Sequence, residues 1–262
     1  MQEPNTIIDK PKDVSAILWL GLPLVTLAIC WLSPLLLQPP TWSRHIMGEG
    51  GYIENASVAM LLAAVVMCVL LLTRRRMPRV MKVLIVLLGV ASLFLAGEEA
   101  SWGQHWFGFE TSEGLARINN QRETNLHNIK GTMQESFTED GRRLISKFCI
   151  IGGVVLPLCL LPWRKKLAER QSIWNWLVPT WRLIPLALCV GAIKNIAHVA
   201  KKLFNDPPRG SIEWMVFIRP AGELKEHLFE MLILMYTVSL FVRLPRKTQP
   251  PAAPAAPAGE RA

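Results

Sequence analysis

The stretch Glu54–Gln104, ENASVAMLLAAVVMCVLLLTRRRMPRVMKVLIVLLGVASLFLAGEEASWGQ, decides the fold. It holds two apolar runs, about Glu54 to Thr73 and about Val80 to Gly97, separated by Arg74-Arg75-Arg76 and followed closely by Arg79 and Lys82. A helix that crosses a bilayer needs about 20 mostly apolar residues, and each run supplies that length. A basic cluster between two such runs marks a turn retained on the cytoplasmic side. The stretch therefore reads as a helical hairpin through a membrane, ending in a polar segment on the far side.

Working outward, further runs lie at about Val14 to Gln38, Leu144 to Trp163, Leu183 to Val199 and Trp214 to Val242, which makes six spans. Composition agrees, with 51% hydrophobic and 19% charged residues among 262; a water-soluble domain of this length carries more charge and shorter apolar runs. The expected class is all-α, a polytopic transmembrane helix bundle with an interfacial helical loop between spans 3 and 4. Residues 1–13 are expected as a cytoplasmic N-terminal segment, 14–244 as the membrane domain with a periplasmic loop at 98–143, and 245–262 as a disordered tail rich in proline and alanine. The first run has no basic leader before it and no small-residue cleavage site after it, so it reads as a retained helix.

Orientation follows the lysines and arginines. Under six spans, Lys10, Lys12, the Arg74 to Lys82 cluster, the Arg164 to Arg182 cluster and the Arg243 to Lys247 cluster share one side. That side is expected to be cytoplasmic, with both chain ends on it, in a bacterial inner membrane. The net charge of +9 is thereby spent on topology; no basic face carries the interleaved readout groups of a nucleic-acid binder. Membrane lipid is the expected partner. Cys30, Cys68, Cys149, Cys159 and Cys189 all fall in apolar segments without a C-x-x-C pair, so they read as small buried residues and not as a disulfide framework or zinc site.

Charged residues within spans cost several kcal/mol unless paired or hydrated, and this chain has many. Counted along helices that rise about 1.5 Å per residue, Glu98 and Glu99, then Lys194, Asn195 and His198, then Glu223, Glu226, His227 and Glu230 all reach the outer half of the bilayer, joined by Glu54. The inner halves read as apolar. Glu223, Glu226 or His227, and Glu230 recur at helical spacing and share one helix face. In the long loop, Trp102, Trp106, Phe107 and Phe109 suit an interfacial segment. Glu123 and His127 stand four apart within a dense run of amides. Trp174, Trp176 and Trp181 mark a second interfacial segment on the cytoplasmic side.

Three stretches carry a resemblance: EGGYIEN at Glu49–Asn55, EEASWGQ at Glu98–Gln104, and NNQRETNLHN at Asn119–Asn128. In them the chain resembles a family of uncharacterised bacterial multi-pass membrane proteins, over about the middle third of its length. The resemblance implies a membrane protein and no particular activity. The Glu98-Glu99 pair is also similar to that of membrane-embedded CAAX-type proteases, but Gly103 and Gln104 stand where an arginine is expected, and the H-x-x-x-H pair of ceramidase-like hydrolases is missing.

Three functions fit these residues. The first is a membrane enzyme acting on a lipid or lipid-linked substrate from the outer face. Glu98, Glu99, Glu123 and His127 are its catalytic candidates. His127, His198, Glu226, His227 and Glu230 are its candidate ligands for a divalent zinc, iron or manganese ion, and acid–base work by a glutamate–histidine pair is the version without metal. Heme held between His198 and His227 is a variant of the same idea. The second is an ion-coupled transporter or channel, in which carboxylates and histidines relay protons. The third is a non-enzymatic assembly subunit whose buried polar groups specify helix packing.

Overall fold

The structure is a computed structural model that describes residues 13–246, apart from 49, 127, 130–143, 145, 170 and 171. Among the described residues the secondary structure is helical, with two isolated bridges and no strand. The helices are α1 (Ala16–Leu36), α2 (Pro39–His45), α3 (Tyr52–Arg74), α4 (Arg79–Glu99), α5 (Gln104–Phe107), α6 (Glu113–Ile118), α7 (Ser146–Leu167), α8 (Ile173–Leu177), α9 (Ile184–Leu203) and α10 (Ala221–Arg243). The interfacial loop after α4 does contain short helices, α5 and α6. The tail expected to be disordered lies outside the described residues from 247 onward.

Five stretches are long and apolar enough to cross a membrane: Ile17–Leu36, Tyr52–Arg74, Arg79–Glu99, Ser146–Leu167 and Ile173–Leu203. The sixth expected span is helical but differs in kind. α10 has 23 residues, about 34 Å of helix, yet Glu223, Lys225, Glu226, Glu230 and Arg243 keep it from qualifying on apolarity. Its packing explains why it tolerates them. α10 lies against α3, α9 and α1 and buries residues around its circumference, among them Leu224, Lys225, His227, Leu228, Glu230 and Met231. A helix walled by other helices needs no lipid-facing stripe. By contrast, α4 exposes Val83, Leu87, Val90 and Leu93, and α7 exposes Ile151, Val155 and Leu158, as lipid-facing surfaces require.

Close helix contact uses small residues. A Cβ on Gly153 of α7 would stand 2.5 Å from the Cβ of Ala187 on α9, nearer than real atoms approach.

The bundle has two polar ends. One, called the tail end, joins the close of α3 to the start of α4 and the close of α10. There Arg75 lies 4.0 Å over the Phe241 ring, and the Arg76 amide donates to Pro245 O. The Trp-rich segment is clamped between two guanidinium groups. Arg243 donates to the carbonyls of Asn175, Trp176 and Val178, and Arg164 to those of Asn175, Val178 and Pro179. Asp13 accepts from Ser239 and Thr180 and from the Val14 amide. This half is less apolar than its sequence suggests, since α10 also buries Thr237, Ser239 and Arg243 there. The other, called the loop end, carries the candidate site.

Candidate functional site

The site has two layers, a hydrogen-bonded cap and a carboxylate chamber beneath it. The cap begins where α4 stops. Ser101, Trp102 and Gly103 follow with φ of 44°, 54° and 91°, three successive left-handed residues that reverse the chain. Side chains other than glycine resist that conformation by about 1–2 kcal/mol each, so the surroundings must hold it. They do so through Trp102. Its indole lies on Gly97, where a Cβ would come within 2.9 Å of the ring, meets Phe94 edge-on at 5.9 Å, and donates Nε1–H to Glu98 Oε1 at 2.8 Å.

The second oxygen of Glu98 accepts the Leu126 amide at 2.7 Å. Gln104 Oε1 accepts the Thr124 amide at 2.7 Å and the Thr111 hydroxyl at 3.1 Å. Glu123 Oε2 accepts from Ser101 Oγ at 3.1 Å and from the amides of Asn125 and Asn128. Asn119 ties the loop to itself: its Nδ2 donates to Asn125 O at 2.9 Å, and its Oδ1 accepts the Gln121 and Glu123 amides. The Glu49–Asn55 stretch joins from the start of α3. Glu54 Oε2 accepts the Gly50 amide at 2.7 Å, and Asn55 Oδ1 accepts Trp106 Nε1–H at 3.2 Å. His105 Nε2 stands 3.2 Å from Glu123 Oε1 and 3.9 Å from Glu54 Oε1, close enough for charge attraction although its N–H is not aligned for a hydrogen bond.

Three stretches that are scattered in the sequence thus interlock over the ends of α3 and α4. The amides of the Asn119–Asn128 stretch are explained by this: buried loop backbone must find partners, which Asn119 supplies, while Asn125 and Asn128 donate to the Glu123 carboxylate.

Beneath the cap, α3, α4 and α10 bring together the groups that the cap does not satisfy. Ser57 Oγ of α3 and His227 Nδ1 of α10 are 2.9 Å apart and buried; which of them donates is set by the histidine tautomer. The Ser57 hydroxyl also stands beside the Glu230 carboxylate, and the His227 ring beside the Ile53 backbone. Glu230 is only 3% exposed, and its Oε2 has no hydrogen-bond partner among the described residues. Glu99, reaching in from α4, lies in the field of Glu230, Glu226, Glu223 and Glu54. Carboxylates that share one apolar region repel one another.

The expected site residues therefore separate. Glu99, Glu226 and Glu230 come together, with His227 joined to them through Ser57. Glu98 and Glu123 belong to the cap, where their oxygens hold the loop. His198 is exposed on α9, away from the buried face of that helix. His127 lies outside the described residues. Among the described residues no group of three or more His, Cys, Asp or Glu side chains is arranged to hold a metal ion, so the expected ligand set is not assembled by them. Sequence reading missed Ser57, a single hydroxyl in an apolar run with no pattern to mark it. It also missed the part of His105, whose partners are distant in sequence. No family model, curated protein or solved structure matches the chain.

Chemically, the chamber offers a buried hydroxyl paired with an imidazole, flanked by carboxylates. This arrangement can take up and deliver protons.

Proposed function

We propose that this multi-pass membrane protein is an enzyme that uses Ser57, His227, Glu230 and Glu99 for acid–base chemistry on a lipid or lipid-linked substrate. In this reading the loop end faces outward, both chain ends are cytoplasmic, and the membrane is a bacterial inner membrane. The positive-inside distribution of lysine and arginine supports the orientation. The observation that carries the reading is the buried, unpartnered Glu230 oxygen beside the Ser57–His227 pair. A polar atom buried without a partner costs about 1–3 kcal/mol, and an ionisable group inside a membrane domain marks a functional site by default. In the cap, Glu123 Oε1 also lacks a hydrogen bond but faces His105 Nε2 at 3.2 Å, whereas the open Glu230 oxygen has no such basic side chain beside it among the described residues.

The divalent metal expected from the sequence receives no support from the donor geometry of the described residues, so the acid–base version is the one put forward. A second reading, proton-coupled transport, draws on the run of carboxylates from Glu223 to Glu230 along α10.

The test is lipid mass spectrometry on proteoliposomes made with a bacterial lipid extract. Wild-type protein should convert at least one lipid species over time. Ser57→Ala, His227→Ala and Glu230→Gln should stop the conversion while keeping the wild-type melting profile in detergent. An unchanged lipid profile with folded wild-type protein would overturn the enzyme reading, and proton flux through the same vesicles would then establish transport.

A further inference from the structure

A second feature lies outside the chamber, at the turn between α9 and α10. The chain leaves α9 through Asn205 and Asp206, both left-handed with φ of 52° and 53°, and the Asp206 amide closes the helix on Lys201 O at 2.8 Å. Pro207 and Pro208 then fix the backbone, Gly210 turns it back at φ 90°, and Ser211 caps the following turn by accepting the Trp214 amide on its hydroxyl at 3.2 Å. This rigid loop and the approach to α10 enclose an open cavity of about 790 Å³.

Its lining is basic. Lys201, Arg209 and Arg219 face it beside Trp214 and Ile218, with Asp206 as the one acid. Lys201 pairs with Asp206 at 3.3 Å. Arg219 pairs with Glu223 at 3.4 Å and donates to Met47 O at 3.1 Å, which holds its guanidinium in place. Arg209 has no ion-pair partner among the described residues, although it borders the cavity. The rim is apolar: Leu203, Phe204 and Ile212 are exposed, and Phe204 stacks on Phe217 at 5.7 Å. A fixed arginine, a free arginine and a lysine around one cavity match the oxygens of a phosphate group. Exposed apolar side chains and an indole at the end of the spans place that phosphate where lipid headgroups lie.

We propose that this cavity binds the phosphate of an anionic phospholipid headgroup, with Arg209 as its free contact and Arg219 as its anchored one. The proposal does not rest on the acid–base reading and would stand if that reading fell.

The experiment is native mass spectrometry of the full chain released from detergent, with phosphatidylglycerol, phosphatidylcholine or inorganic phosphate added separately. Retention of phosphatidylglycerol over phosphatidylcholine, weakened about tenfold in Arg209→Gln by loss of one charge-assisted contact, is the expected result. Lys201→Gln should weaken it as well, and guards against an Arg209 variant that fails to fold. Inorganic phosphate bound as well as the lipid, with the same dependence on Arg209, would overturn the lipid assignment. Lipid retention equal in wild type and both variants would overturn the site.

Discussion

The two polar ends of the bundle solve the same problem in opposite ways. At the tail end, Arg164 and Arg243 spread their guanidinium donors over the carbonyls of residues 175–179, and Asp13 gathers a serine, a threonine and an amide. These groups hold backbone and side chains together as a clamp, although the Nε atoms of Arg75 and Arg243 are buried there without a hydrogen bond. The loop end repeats that pattern only in its cap, where Glu98 has a donor on each oxygen. One layer down, Glu230 keeps an oxygen open and Glu99 lies in the field of several other carboxylates. Unpartnered atoms occur at both ends; what sets Glu230 apart is that its open oxygen lies beside the buried Ser57–His227 pair.

The largest expected effect falls on the clamp. Arg243→Leu removes three charge-assisted bonds in a buried site, taking the donor from Trp176 O and one of two from Asn175 O and Val178 O, and should destabilise by about 3–5 kcal/mol, seen as loss of monodisperse protein in size-exclusion chromatography. If Arg243→Leu purifies normally, the clamp is not structural and the contrast between the ends fails.

Glu98→Ala comes next. It removes the acceptor for Trp102 and for the Leu126 amide, each a charge-assisted bond worth about 1.5–3 kcal/mol, and should sharply lower the melting temperature in detergent. A melting temperature equal to wild type would show that Glu98 does not hold the loop, and would return it to the list of chemical candidates.

Gly97→Ala probes the same cap from below. Its new methyl would press on the Trp102 ring, and overpacking of this kind costs about 1–3 kcal/mol. Trp102 fluorescence and limited proteolysis of the loop should change together in this variant; an unaltered cleavage pattern would mean that the ring yields freely.

The smallest effect is expected in the chamber. Glu230→Gln keeps shape and removes a buried carboxyl that has no full set of partners, so stability should stay within about 1 kcal/mol of wild type or rise, while any lipid conversion stops.

The fold was largely legible because span length and lipid-facing apolarity are written locally: five stretches needed only a count of apolar residues. α10 was harder, since its polarity comes from being enclosed by α3, α9 and α1, a tertiary fact. The site was legible in part. Helical spacing placed His227 and Glu230 on one side of α10, and both are buried. Adjacent Glu98 and Glu99, however, point about 100° apart on a helix, so one closes the cap and the other enters the chamber. Nothing in the sequence says which. Ser57 was invisible because its partner is 170 residues away, and His198 seemed to match in depth although it is exposed on α9. Depth along a span can be counted from sequence, whereas rotation about the helix axis depends on the packing partner.

The most direct test of the central claim is a side-by-side melting measurement of Glu98→Ala and Glu230→Gln in the same detergent. A large drop is expected for Glu98→Ala and none for Glu230→Gln. An equal drop for Glu230→Gln would show that its carboxylate holds the bundle together, and the distinction between a structural cap and a chemical chamber would be contradicted.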